Sequence, residues 1–257
     1  MTEPKNLRKI LYTPSGRAGA YANGGYAANI YKGCTHRCQY CYVPSFCHVD
    51  RTEFHDHVEV APNVLERMDR QLAAHKKSGK VISEPVFMCF TTDPYPEDDT
   101  LSMLTAEVIK LINSYDIPVN ILTKGGLRAA RDFYLLAAHP GNKIGTTLTF
   151  WDASKSAIWE PGAASPRERI EMLEEAKSYH IQTWASVEPV IMPSQSLQIM
   201  KAALHCVDVY KIGKWNHDAR ANGINWTRFL GDARELMIDN GKTHVIKQDL
   251  LDAAEKQ

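Results

Sequence analysis

From about residue 80 onward, compact apolar runs alternate with stretches in which apolar residues recur every three or four positions. "EPVFMCFTT" is continuous and strand-like, and in the following "LSMLTAEVIKLINSYD" the residues Leu101, Leu104, Val108, Leu111 and Ile112 fall on one helical face. The unit then repeats. "PVNILTKG" reads as strand, "RAARDFYLLAAHPG" as helix and "KIGTTLTFW" as strand again, rich in β-branched and aromatic residues. Ser165, Pro166 and Glu168 mark a helix start as N-cap hydroxyl, first-turn proline and capping-box glutamate, and Ile170, Leu173 and Ala176 form the body of that helix. "QTWASVEP", "PSQSLQIMKAALHC", "DVYKIGKW" and "NWTRFLGDARELMIDNG" continue as strand, helix, strand and helix, with Gly241 placed to end the last.

With "AANIYKG" nearer the start, the pattern holds six strands, each followed by a helix or a helix-sized connection. Crossovers of that length join parallel strands, and apolar strands of this kind suit a sheet covered on its faces. The expected class is therefore α/β: a partial (β/α)6 TIM-type barrel over residues 26–257 as a single domain, preceded by an irregular, glycine-rich N-terminal arm, residues 1–25. An open doubly wound sheet is the structural alternative. In either, the working residues belong in loops at the carboxyl ends of the strands.

Charge and composition narrow the picture. Thirty basic and thirty acidic side chains cancel over the 257 residues, which removes the global positive field of a strong nucleic-acid binder. A nucleic-acid contact would have to gather Lys32, Arg37, Lys124, Arg128, Arg131, Arg167 and Arg169 into a local patch, and Tyr42, Phe46, Tyr95, Phe150 and Trp151 are the aromatic residues placed to stack a base. The opening "MTEPKNLRKI" has no signal-like apolar run and no stretch has the length of a membrane span, so a soluble, cytoplasmic protein without membrane association is expected. In a reducing cell, clustered cysteines bind metal or carry redox chemistry more often than they form disulfides.

The cluster is "GCTHRCQYCY", in which Cys34, Cys38 and Cys41 follow a C-x3-C-x2-C spacing after the first strand. A structural zinc ion takes four protein ligands, as does an ordinary iron-sulfur cluster, whereas three cysteines leave one iron open to an outside ligand. Zinc completed by His36, His48 or Cys47 stays open as the other reading of this segment.

Tyr40 ahead of the last cysteine, and the position of the loop at the opening of a barrel pattern, make the segment more specific than its spacing. Here the chain resembles the radical S-adenosylmethionine enzymes, and within them the branch of spore photoproduct lyase and its DNA-photolyase-like relatives. The likeness rests on "NIYKGCTHRCQYCYVP", "FTTDPY", "LTKGG", "TLTFWD", "SVEPV" and "YKIGKWN", spread over nearly the whole chain. It implies a 4Fe-4S cluster on Cys34, Cys38 and Cys41 and S-adenosyl-L-methionine chelated to the open iron. A one-electron reductase, ferredoxin or flavodoxin would drive its cleavage to a 5′-deoxyadenosyl radical that abstracts hydrogen. By the same resemblance Tyr40 lies at the cofactor, Thr92 and Asp93 take the methionine amino group, Lys124 its carboxylate, and Thr147 and Thr149, on one strand face, the ribose. Glu188 ends the fifth strand, where a carboxylate reads as functional, with Lys211 and Lys214 ranked after it. The residue-level alternatives are a turn at "TTDPY", a surface lysine at Lys124 and β propensity at the threonines.

In the lyase branch the tyrosine after the last cluster cysteine and a cysteine on the second strand return the hydrogen atom. This chain has the tyrosine, Tyr42, but the matching strand position holds Phe90, with Cys89 beside it on the opposite face as a core thiol. Cys47 lies close enough in sequence to serve as donor, and Cys206 is read as packing. The expectation is a radical S-adenosylmethionine enzyme with its substrate left open and nucleic acid within scope. A DNA lesion lyase of spore-photoproduct type and a non-enzymatic zinc-knuckle module are the alternatives.

Overall fold

Among the described residues ten strands carry the architecture: β1 (Leu11–Tyr12), β2 (Ala27–Ala28), β3 (Tyr31–Lys32), β4 (Glu59–Val60), β5 (Val86–Met88), β6 (Val119–Thr123), β7 (Lys143–Thr147), β8 (Gln182–Val187), β9 (Val209–Ile212) and β10 (Thr243–Ile246). The computed structural model describes residues 9–79, 81–97 and 99–257, without the side chains of residues 20 and 99–102. Residues 1–8 of the expected arm and the Leu101 side chain therefore lie outside the described residues. Eight strands form one sheet in the order β1-β2-β5-β6-β7-β8-β9-β10. Every neighbouring pair is parallel except β1 with β2. The six strands expected from the pattern are β2 and β5 to β9, in barrel order.

The helices are α1 (Gly16–Tyr21), α2 (Val43–Cys47), α3 (Arg51–Asp56), α4 (Val64–Lys77), α5 (Asp99–Ser114), α6 (Phe133–Ala138), α7 (Ala153–Trp159), α8 (Pro166–Ser178), α9 (Pro193–Ala202), α10 (Trp226–Asp239) and α11 (Gln248–Glu255). Among the described residues no helix is long and apolar enough to cross a membrane. The outer core joins Val108, Ile109 and Ile112 of α5, Ile170 and Leu173 of α8 and Phe229 and Met237 of α10 to Val119, Ile121, Ile144, Val187 and Ile212 of the sheet. The alternate strand positions face inward, where Phe87 and Trp184 pack with Tyr21, Phe90, Leu122 and Val209. A Cβ at Gly145 would meet the Trp184 indole at 2.4 Å, so only glycine on β7 lets that ring lie across the lumen.

Three features depart from the sequence reading. Regular structure begins inside the segment expected to be an irregular arm: β1 extends the sheet and α1 carries Tyr21 into the lumen, against Phe87 at 5.3 Å and Trp184 at 5.7 Å between ring centroids. Ser165 caps α8 as expected, accepting from the Glu168 amide at 3.2 Å, but the Glu168 carboxylate does not reciprocate. It accepts from the Leu127 amide at 3.2 Å and ties α8 to the turn after β6. Finally, β10 and α11 add a seventh parallel strand and its helix beyond the six units.

Candidate active site

The cysteine loop is closed at its base and clamped from one side. β3 and β4 pair antiparallel, so residues 33–58 form a loop whose two ends are fixed together. Gly33 (φ +76°) makes the entry turn, and a Cβ there would sit 2.2 Å from the His57 carbonyl oxygen. The Cys34 amide donates to the Phe54 carbonyl at 3.0 Å, and His55 Nδ1 donates to the Cys34 carbonyl at 2.7 Å. Arg51 then gathers three loop carbonyls, those of Cys41 (3.0 Å), Cys38 (3.0 Å) and Gln39 (2.6 Å). Carbonyls held this way turn a flexible segment into a fixed presentation of its three thiols. The far side of the loop docks on the end of α7 and the residues that follow, where the Gln39 backbone amide donates to the Trp159 carbonyl (2.8 Å) and the Gly162 amide to the His36 carbonyl (3.0 Å).

Burial pushes the Cys38 thiol up to about 12, with Lys124 as the strongest opposing influence. Burial also raises Cys34, reinforced by Asp93, and Cys41. Thiols in such a setting ionise only against a strong local cation, which bound metal supplies. Among the described residues no group of three or more His, Cys, Asp or Glu side chains is placed to hold a metal ion. A cluster makes a different demand, one thiolate to each of three irons. His36, a candidate zinc ligand, is occupied: Arg128 Nη2 donates to its Nε2 at 3.2 Å and its Nδ1 faces Asp93 at 3.5 Å. Burial lowers its pKa to about 4 although Asp93 pulls the other way.

Of the expected cofactor residues, Tyr40 lies in this loop, Thr92 bonds to it and Lys124 lies over the Tyr40 ring, while Thr149 follows the end of β7. Thr92 Oγ1 donates to the Gly33 carbonyl at 2.6 Å, which seats the β5 loop against the cysteine loop. Lys124 Nζ lies 5.7 Å from the Tyr40 ring centroid. Leu148 and Phe150 enter the outer core, so Thr147 and Thr149 face the lumen; Thr149 is fully buried, and its hydroxyl has no partner. An orphaned hydroxyl at the carboxyl end of a barrel strand is a fitting contact for a ribose.

Asp93 and Glu188 already carry protein partners. Asp93 accepts from the Tyr95 amide (2.9 Å), Thr123 Oγ1 (2.6 Å) and the Lys124 amide (2.7 Å), which locks the β5 loop to the end of β6. Glu188 pairs with Lys247 and accepts from Asn216 at 2.9 Å. Tyr42 is at the mouth, 43% exposed, and Cys47, at the end of α2, is near enough to contribute to the raised pKa of Tyr42 after burial and Cys41. Cys89 is buried in the outer core, as read, and so is Cys206.

Sequence reasoning missed two residues, Arg51 and Glu160, and the role of a third, Arg169. Arg51 follows the motif with no spacing to flag it. Glu160 and Arg169 form an ion pair at 2.7 Å, each about 1% exposed. Arg169 also donates to the Thr147 carbonyl at 2.9 Å and the Ala164 carbonyl at 2.9 Å, and Glu160 receives the Tyr40 hydroxyl. Arg169 is thereby removed from the expected basic patch, and Arg131 pairs with Asp132 at 3.6 Å. Of the aromatic candidates Tyr95 and Phe150 are buried, while Tyr42, Phe46 and Trp151 reach solvent.

The Radical SAM superfamily model matches residues 28–207, which includes the three clustered cysteines and the strands from β3 to β8. The chain belongs to the radical SAM superfamily. Two solved structures of that kind are similar to it in fold. Spore photoproduct lyase complexed with dinucleoside spore photoproduct has TM-score 0.62 and 17% identity, over 95% of this chain and 67% of that one. Streptococcus suis SuiB bound to S-adenosylmethionine has TM-score 0.65 and 11% identity, over 90% and 52%. By sequence, an uncharacterized protein of Mycobacterium tuberculosis is 27% identical over 173 residues, 65% of this chain and 49% of its own. An uncharacterized protein of Acidianus two-tailed virus is 24% identical over 209 residues, 77% and 67%. The chain thus spans about half the length of the first curated relatives it matches. Membership implies a 4Fe-4S cluster and S-adenosylmethionine, and the three thiols with the orphaned Thr149 hydroxyl fit both.

Proposed function

We propose that Cys34, Cys38 and Cys41 hold a 4Fe-4S cluster and that the protein is a radical enzyme acting on hydrogen at an unactivated carbon of its substrate. The observation that supports this reading is the fixed loop that presents the three thiols, held by Arg51 on the carbonyls of Cys38, Gln39 and Cys41 and by Phe54 and His55 on the backbone of Cys34. When bound, cluster and S-adenosylmethionine supply one-electron cleavage of the sulfonium carbon–sulfur bond, giving methionine and a 5′-deoxyadenosyl radical, the electron coming from a ferredoxin- or flavodoxin-type donor.

The chain's own residues bind, orient and enclose. Tyr40 and Lys124 make one wall of the cofactor pocket and Thr149 offers its hydroxyl to the ribose. Thr92 and Asp93 take the methionine amino group on this reading, Asp93 through its Oδ2, which accepts from the Lys124 amide, while its Oδ1 accepts from Thr123 Oγ1. Phe87, Phe90, Trp184 and Tyr21 fill the lumen beneath and keep water from it. Tyr42 at the mouth is the hydrogen donor on this reading, with Cys47 behind it. Nucleic acid is the first substrate class to test. Lesion repair of spore-photoproduct type is the weaker version, because Phe90 stands where that chemistry asks for a thiol.

Anaerobic cluster reconstitution, dithionite reduction and quantification of 5′-deoxyadenosine test the reading. Wild type should form the nucleoside, and Cys38→Ala, shown to be folded by circular dichroism, should not. A folded wild type that carries stoichiometric zinc and forms no nucleoside would sink it in favour of a metal-binding module.

A further inference from the structure

The buried pair Glu160–Arg169 has no catalytic assignment, yet it joins three parts of the site. Arg169 crosses from α8 to the Thr147 carbonyl at the end of β7 (2.9 Å) and to Ala164 (2.9 Å), and the Ala164 amide in turn donates to the Lys124 carbonyl (2.9 Å). Glu160 Oε2 takes Arg169 at 2.7 Å and Ser156 Oγ at 3.2 Å. Its remaining oxygen, Oε1, accepts the hydroxyl of Tyr40, the aromatic residue between Cys38 and Cys41. An ion pair this deep is costly to desolvate and gives little stability over an apolar pair. Its value lies in fixed geometry: one carboxylate oxygen is left to orient a single ring. That ring carries Lys124 on its face, with Nζ 5.7 Å from the centroid.

We propose that Glu160, locked by Arg169, is a positioning residue that holds Tyr40 by its hydroxyl so that the ring and Lys124 together form the S-adenosylmethionine wall. The bond sets affinity for that cofactor, while cluster assembly rests on the three thiols and Arg51. This rests on the function proposed above. Tyr40 is the residue in contact, and Glu160 acts through it.

The test uses reconstituted full-length protein as wild type, Tyr40→Phe and Glu160→Gln. Tyr40→Phe keeps the ring and the ion pair and removes only the hydroxyl; Glu160→Gln keeps an acceptor and removes the charge opposite Arg169. The readouts are iron and sulfide content and the S-adenosylmethionine-induced change in the reduced cluster's electron paramagnetic resonance signal, titrated to a Kd. Tyr40→Phe should hold wild-type iron and bind S-adenosylmethionine about tenfold more weakly, the scale of losing a hydrogen bond to a charged acceptor. Glu160→Gln, where it folds, should shift Kd in the same direction by less. Unchanged Kd in Tyr40→Phe, or loss of iron in that variant, overturns the proposal by making the bond a scaffold contact or a cluster support. A wild type whose full cluster ignores S-adenosylmethionine would instead defeat the functional reading itself and this inference with it.

Discussion

The Tyr42 hydroxyl donates to the Phe90 carbonyl oxygen at 3.1 Å, while the neighbouring Cys89 side chain turns into the outer core and is 5% exposed. The tyrosine also stacks on His217, 6.0 Å between centroids at 28°, so its phenol is held at the barrel mouth. On the function proposed above, the Tyr42 phenol is the first exchangeable hydrogen to test, and the strand thiol of Cys89 is walled off in the outer core. In uncoupled turnover in D2O, deuterium in 5′-deoxyadenosine should fall with Tyr42→Phe and stay at the wild-type level with Cys89→Ala. Cys89→Ala should lower stability by about 1–2 kcal/mol through its small cavity. Mass spectrometry of the nucleoside and urea unfolding of the cluster-free protein read the two effects.

The lumen rests on one glycine. A Cβ at Gly145 would approach three atoms of the Trp184 indole at 2.4, 2.5 and 2.6 Å, and the indole cannot retreat because Tyr21 and Phe87 hold its other side at 5.7 and 6.2 Å between centroids. Gly145→Ala should cost about 1–3 kcal/mol by overpacking. Adding Trp184→Leu should restore part of that loss. Non-additivity in a double-mutant cycle by urea denaturation checks the contact, and strictly additive costs would contradict it.

Local rules carried most of the fold into the sequence. The β-branched runs at 119–123 and 143–147 and the cap at Ser165 depend on neighbours in the chain, and the structure matches them. The strand Thr243–Ile246 did not stand out because "THVI" has two apolar residues and forms only by pairing with Val209–Ile212. In the site, the cysteines were legible because three thiols in one loop are rare and have few uses. At Asp93 a carboxylate at a strand end reads as a ligand, and the two amides and the hydroxyl that also surround it come from the folded chain and leave no mark in the sequence. Arg51, Glu160 and Arg169 act through carbonyls and through each other across the fold, and such partnerships leave no mark on sequence spacing.

Arg51 reaches the carbonyls of Cys38, Gln39 and Cys41 with two nitrogens of one planar group. A lysine has the charge but not the fork. Arg51→Ala should retain less iron after reconstitution and bleach faster in air than wild type, and Arg51→Lys should recover only part of the difference. Iron and sulfide analysis with the decay of visible absorbance in air measures this. Wild-type retention in Arg51→Ala would show that the loop holds its shape without the clamp.

Lys211 gives a pH dependence whose sign is fixed by its surroundings. Its Nζ donates to the Tyr21 carbonyl at 3.1 Å and lies 4.5 Å from the Tyr21 ring centroid and 5.0 Å from that of Trp184, on the lumen side of β9. Burial lowers its pKa from 10.5 to about 8, with Lys143 adding to the shift and Glu84 opposing it. Between those two values the unfolded chain binds the proton and the folded chain does not, so this group makes wild-type stability rise with pH across that window. Below pH 8 both states are protonated and the cost of the buried charge is felt in full. Lys211→Met keeps the length and removes the titration. The stability of Lys211→Met relative to wild type should therefore be greatest below about pH 8 and decline steadily toward pH 10.5. Parallel urea titrations at four or five pH values across that range give the slope, and a difference independent of pH would mean that Lys211 keeps an ordinary lysine pKa inside the barrel.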